Sequence, residues 1–129
     1  MSHPLLAAEA GVRHLLRGNE AIVRGALEAG INVVTCYPGT PSSEIPDTFH
    51  YLASCGRYRM EYSVNEKVAV EVGAGAALAG AMSMTTMKHV GVNVAADPLF
   101  TAAYVGLPGG FVLVSADDPL CHPSQDEQD

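Results

Sequence analysis

The chain has 129 residues, 48% of them apolar and 16% charged, and carries a formal charge of −7 at neutral pH. One domain of this length and composition can bury its own core, which excludes an intrinsically disordered chain. The basic residues are few and scattered, which excludes a protein that tracks nucleic-acid phosphates.

Taken in chain order, "GNEAIVRGALEAGI" predicts a helix over 18–31. Asn19 is its N-cap, Ala21, Ile22, Ala26 and Leu27 form its apolar stripe, and Gly30 stops it. "INVVTCYP" is a short β-branched run ending at Pro38, a buried strand by composition. "GTPSS" is a turn, and 43–56 is a second helix that tolerates Pro46 in its first turn. "RYRMEYS" reads as a second strand, "NEKVAVEVGAGAALAG" as a helix, "AMSMTTM" as a third strand and "KHVGVN" as a loop. A helix over 95–110 follows, turned by Gly109 and Gly110 into the strand "FVLVSA". The tail from Asp117 has no apolar period and reads as loop. Residues 68–87 have the length of a membrane span, but Glu71 and the many glycines and alanines favour a buried helix followed by a strand.

Strands alternating with helices predict an α/β fold, a parallel sheet with helices on both faces and no internal repeat. Ligands of such sheets sit outside the carboxyl ends of the strands. The informative segments are therefore Pro38–Ser43, Ser63–Glu66, Lys88–Asn93 and Asp117–Pro119. The cysteines Cys36, Cys55 and Cys121 include no C-x-x-C pair, so neither a zinc site nor a cysteine-ligated iron–sulfur cluster is encoded here. Reduced thiols and the absence of a signal-peptide pattern at the N-terminus predict a cytoplasmic protein.

Within those segments each residue has a plain reading beside a functional one. "GTPSS" can cradle an anion or simply punctuate, with Ser42 or Ser43 capping the next helix, and Thr40 has no evident capping duty. Ser63-Val64-Asn65-Glu66 fits a capping box in which Glu66 bonds back to the Ser63 N–H. Behind Glu66, however, Ala69, Gly73, Ala76 or Ala77, and Gly80 form a ridge with almost no side chain. Such a ridge costs helix propensity and suits the close approach of a backbone or a flat ligand. Lys88 and His89 are either a solvated pair or an active-site cation and a proton shuttle. Asp117 and Asp118 solvate a loop and lack a third metal ligand, and Cys36 is packing.

Four motifs in order, "CYPGTPSSEI", "NEKVAVEVGAGAALAGA", "MKHVGVNVAADP" and "VSADDPLCHPSQDEQD", resemble the start of the alpha subunits of the indolepyruvate ferredoxin oxidoreductases. These belong to the thiamine diphosphate-dependent 2-oxoacid:ferredoxin oxidoreductases. The resemblance runs from about Gly18 to Asp129. It implies a thiamine diphosphate-binding fold, with residues 1–129 an incomplete pyrimidine-binding domain truncated at its C-terminus. It also implies oxidative decarboxylation of an aryl pyruvate such as indolepyruvate to an acyl-CoA, with electrons passed to ferredoxin.

In that family a Glu opening a small-residue helix bonds N1′ of the cofactor's aminopyrimidine, and Glu66 matches that position. The resemblance makes Tyr37, Pro38, Gly39 and His89 cofactor neighbours, with Thr40 and Lys88 toward the substrate. The family's G-D-G segment for diphosphate and magnesium, and its cysteine-rich cluster region, have no counterpart in this sequence. Magnesium, iron–sulfur clusters, the diphosphate-binding domain, a beta subunit and ferredoxin are therefore expected from elsewhere in an oligomeric enzyme, with coenzyme A as co-substrate, and the chain alone is expected to be inactive. Two alternatives stand beside this reading: the pyrimidine-binding subunit of a sulfopyruvate- or phosphonopyruvate-type decarboxylase, and a non-catalytic α/β interaction module.

Overall fold

The computed structural model describes residues 3–117. Its elements in chain order are α1 (Gly18–Glu28), β1 (Val33–Cys36), α2 (Glu44–Leu52), β2 (Arg59–Tyr62), α3 (Glu66–Leu78), β3 (Ser83–Lys88), α4 (Gly91–Val94), α5 (Ala96–Val105) and β4 (Phe111–Ala116). The strands form one sheet in the order β2-β1-β3-β4, and every pairing is parallel. The expected α/β architecture is present. The strands fall where the sequence reading puts them, but two helices end sooner than expected. Helix α2 stops at Leu52, followed by a 3-10 turn over Ala53–Cys55, and α5 stops at Val105, where the positive-φ Gly106 and not Gly109 and Gly110 ends it. The segment "KHVGVN" contains the single turn α4.

The strand order dictates where the helices lie. The chain moves one way from β1 to β2 and the other way from β2 to β3 and β4. Because parallel crossovers are right-handed, α2 must then lie on one face and α3 and α5 on the other. Strand alternation sorts the side chains accordingly. Val34 and Met84 join Val23, Ile45, Phe49, Leu52 and Tyr58 in a core beneath α1 and α2. Met87 joins Val70 and Ala95 in a smaller core beneath α3 and its neighbours, with Phe111 and Leu113 packed against it.

Between these cores the α3 face of β1 and β3 is polar. Thr35 Oγ1 donates to the Ala69 carbonyl at 2.7 Å and lies 2.8 Å from Thr85 Oγ1, and Ser83 Oγ donates to the Gly73 carbonyl at 2.8 Å. A Cβ on Gly73 would stand 2.5 Å from Thr85 Oγ1, so α3 sits too low on the sheet for a side chain there. This corrects the expectation for the small-residue ridge. Ala69, Gly73 and Ala77 are buried against the protein's own sheet and are not offered to a ligand or a facing domain. Exposed apolar residues lie off that ridge, among them Val72 and Leu78 on α3 and Phe100, Tyr104 and Val105 on α5.

Two capping expectations are also revised. The residue before α1 is Arg17, whose N–H donates to Glu20 Oε2 at 2.8 Å, so Asn19 lies inside the first turn. Ser43 precedes α2 without a side-chain cap, while Ser42 Oγ donates to the Gly39 carbonyl at 2.7 Å and closes the turn itself.

Candidate active site

At the carboxyl ends of β1 and β3 the chain departs in opposite directions, toward α2 on one face and toward α4 and α5 on the other. That divergence is where open parallel sheets leave a crevice for ligands. The segments after β1, β2 and β3 all meet at this edge, so the sequence-predicted residues of Pro38–Ser43, Glu66 and Lys88–Asn93 share it. The loop after β3 touches both others. A Cβ on Gly39 would meet Lys88 Cβ at 2.8 Å, and a Cβ on Gly91 would meet Glu66 Cγ at 2.5 Å and Oε1 at 2.7 Å.

Glu66 is the first residue of α3 and is half-buried. The capping-box alternative fails on its geometry. The Ser63 N–H donates to the Cys36 carbonyl at 2.8 Å, extending the β1–β2 ladder, so it is not offered to Glu66. The cap is Asn65, whose Oδ1 accepts from the Val68 N–H at 2.9 Å. Among the described residues the Glu66 carboxylate has no hydrogen-bond or ion-pair partner. A partly buried carboxylate left with its acceptor sites open, at the positive end of a helix dipole, is suited to a donor from outside the chain. Ser63 Oγ and Thr86 Oγ1, near the ends of β2 and β3, are also buried without a partner among the described residues. Orphaned buried hydroxyls are uncommon enough to mark the edge as a place that a ligand or water completes.

On the other side of the crevice Tyr37, Pro38 and Thr40 are exposed, and the Thr40–Pro41 peptide is cis. The Thr40 hydroxyl makes no hydrogen bond among the described residues. Its loop is braced from behind. Asn19 Nδ2 donates to the Pro41 carbonyl and to Glu44 Oε2, both at 3.1 Å, and Arg17 reaches Glu44 Oε1 at 3.1 Å. This bracing role of Asn19 is one the sequence did not disclose. A polar side chain one position inside a helix start is the signal that could have raised it.

Lys88 is half-buried at the end of β3. His89 is buried, 3% exposed, with Nδ1 3.1 Å from Asp117 Oδ1, and its N–H donates to the Ala116 carbonyl at 3.0 Å. It is therefore tied to the end of β4. Cys36 is fully buried, and burial first, then the nearby Asp47 charge, pushes its thiol up to about 12. It packs as expected and supplies no thiolate near neutral pH. Burial, followed by its hydrogen bond to Asp47 at 2.6 Å, raises the pKa of the Tyr62 hydroxyl and ties the end of β2 to α2. Among the described residues no three His, Cys, Asp or Glu side chains are grouped as metal ligands, and no helix is long and apolar enough to cross a membrane. Asp118, Pro119 and Cys121 lie outside the described residues.

The fold is an open parallel α/β domain with a candidate site at its topological switch point. More narrowly, the chain belongs to the pyruvate flavodoxin/ferredoxin oxidoreductase family, whose thiamine diphosphate-binding domain matches residues 24–116. It is 64% identical over 123 residues to the indolepyruvate oxidoreductase subunit IorA of Archaeoglobus fulgidus, and 58% identical over 119 residues to that of Pyrococcus abyssi. These alignments cover 92% of this chain but 20% and 18% of those relatives, so the chain spans about a fifth of their length. A solved 2-oxoglutarate:ferredoxin oxidoreductase from Magnetococcus marinus, with 2-oxoglutarate, coenzyme A and succinyl-CoA bound, superimposes with a TM-score of 0.71 at 25% identity. That match covers 79% of this chain and 18% of the other.

Proposed function

We propose that this chain is the aminopyrimidine-binding part of a thiamine diphosphate active site in an indolepyruvate-type 2-oxoacid:ferredoxin oxidoreductase. The whole enzyme would decarboxylate an aryl pyruvate, transfer the acyl group to coenzyme A and pass electrons to ferredoxin. The observation that carries the reading is the Glu66 carboxylate, relieved of capping duty by Asn65 and left with open acceptor sites at the switch point.

Thiamine diphosphate, when bound, supplies the carbon nucleophile and electron sink that 2-oxoacid decarboxylation needs. Glu66 would accept a hydrogen bond from the aminopyrimidine ring, a charge-assisted bond strengthened by the partly dry crevice. Tyr37, Pro38 and Gly39 would form the wall beside the cofactor, and Thr40 would donate its free hydroxyl to the 2-oxoacid carboxylate. Lys88 would add positive charge on that side. His89, held by Asp117, would steady the loop at the cofactor's edge.

Magnesium, the diphosphate-binding segment and the iron–sulfur clusters are assigned to the remainder of the enzyme, alongside a beta subunit and ferredoxin, in the cytoplasm. The exposed Phe100, Tyr104 and Val105 favour a partner domain or subunit against α5. The substrate assignment is tested with the complete enzyme containing this chain, supplied with coenzyme A and an electron acceptor. Indolepyruvate should outrun pyruvate and 2-oxoglutarate in kcat/KM, and Thr40→Val should raise KM more than it lowers kcat. A preference for 2-oxoglutarate, or acceptor-independent decarboxylation without acyl-CoA, would replace this function with another.

A further inference from the structure

Gly91 stands against the side chain that matters most. A Cβ added there would lie 2.5 Å from Glu66 Cγ, 2.7 Å from Oε1 and 2.9 Å from Cδ, each well inside contact distance. Its backbone is not in the left-handed region, so conformation does not call for glycine. Glycine also costs helix propensity at the start of α4, where alanine would be favoured. Its main chain cannot easily retreat. Gly91 is buried, its carbonyl accepts from the Ala95 N–H at 3.0 Å, and the Val92 N–H donates to the His89 carbonyl at 3.0 Å. The remaining reason for glycine is the space that Glu66 occupies.

We propose that Gly91 is a positioning residue for Glu66: its bare backbone forms the wall that fixes the carboxylate's direction. The inference rests on the reading of Glu66 as the cofactor's partner. A carboxylate aimed by hydrogen bonds has given up acceptor sites, whereas one aimed by contact keeps them for a ligand. Steric bracing is how an orphan carboxylate can be ordered before the ligand arrives. Errors of about 1 Å in such placement can cost on the order of 100-fold in rate.

The test is Gly91→Ala in the complete enzyme containing this chain, read in three ways beside Glu66→Gln. In a crystal structure of the variant the Glu66 carboxylate should be displaced while the sheet is unchanged. Exchange of the C2 proton of bound thiamine diphosphate should slow by roughly 10–100-fold. In a Glu66→Gln background the same alanine should slow exchange much less, because the group it displaces is already disabled. An unmoved carboxylate, or equal slowing in both backgrounds, overturns the role of Gly91. Normal exchange in Glu66→Gln alone overturns the earlier reading of Glu66, and the displaced carboxylate then still stands as a separate result. Should Gly91→Ala fail to fold, Glu66→Asp is added, since the shorter side chain withdraws from the new methyl group. Recovered folding supports the contact, and a double variant equally unfolded overturns it.

Discussion

The two faces of the sheet are built on different rules. Beneath α1 and α2 the contact is made of volume: Phe49, Ile45, Val23 and Val34 are each 0% exposed, and the Phe49 and Tyr58 rings meet edge-on at 5.1 Å. Beneath α3 the contact is made of closeness. Ala69 and Gly73 lie on Thr35, Thr85 and Ser83 through hydroxyl-to-carbonyl bonds, and the apolar core beside them, Val70 with Met87 and Ala95, is the smaller of the two. The first face supplies stability by removing apolar area from water. The second holds a helix at a fixed height, and that helix carries Glu66 at its first position. Stability and placement are thus divided between the faces.

Breaking the first face should give the largest loss of stability. Phe49→Ala removes a fully buried ring and is expected to cost about 3–5 kcal/mol, measured by denaturant unfolding. If the chain still folds, the arrangement around Glu66 should survive. A loss under about 1 kcal/mol would mean that this face is not the stabilising one.

Crowding the second face should cost less stability and more function. Gly73→Ala would gain up to about 1 kcal/mol on helix propensity alone. Its new methyl group meets Thr85 Oγ1 and, at 3.0 Å, Phe111 Cε2, so a net loss of about 1–3 kcal/mol is expected. Lifting α3 also moves Glu66, and cofactor affinity in the complete enzyme should fall out of proportion to the stability change. A stabilised variant with unchanged affinity would dissolve the distinction between the faces.

Alkaline pH sharpens the comparison with the smallest effect. Burial holds the Tyr58 hydroxyl, which donates to the Phe49 carbonyl at 2.5 Å, up at about 12 against an ordinary 10, and Cys36 at about 12 against 9. Both folded-state values are raised, so their contribution to stability is intact below the unfolded values. It is lost as pH rises from about 9 toward 12. Tyr58→Phe should cost about 1 kcal/mol at neutral pH and flatten the decline between 10 and 12, read from thermal unfolding. An unchanged slope would remove Tyr58 as its source.

The architecture was legible in the sequence because β-branched runs such as "INVVTC" and apolar-striped helices alternate, and parallel topology follows from that alternation. The location of the candidate site was read on the same ground: the switch-point rule points at the residues after each strand, and the parallel sheet brings those segments to one edge. What the small-residue ridge packs against was not. A run of Ala and Gly states that something comes close without saying what, and only the pairing of β1 with β3 brings Thr35 and Thr85 beneath Ala69 and Gly73. The capping-box spacing at Ser63 was ambiguous because the same Ser63 N–H can serve a helix start or a strand end, and the sheet took it. Asn19 was missed because its partners, Pro41 and Glu44, are more than twenty residues away, beyond any local pattern.

In the proposed function Glu66 faces a cofactor, and the helix cap is Asn65. Glu66→Gln in the complete enzyme keeps the size of the side chain and removes its charge. Because Asn65 is the cap, the melting temperature should hardly move, with a change below about 1 kcal/mol. Exchange of the C2 proton of bound thiamine diphosphate, followed by proton NMR in deuterated buffer, should slow by roughly 10²–10⁴-fold, the range of general acid–base contributions. Exchange at the unaltered rate in a fully folded variant would contradict the account.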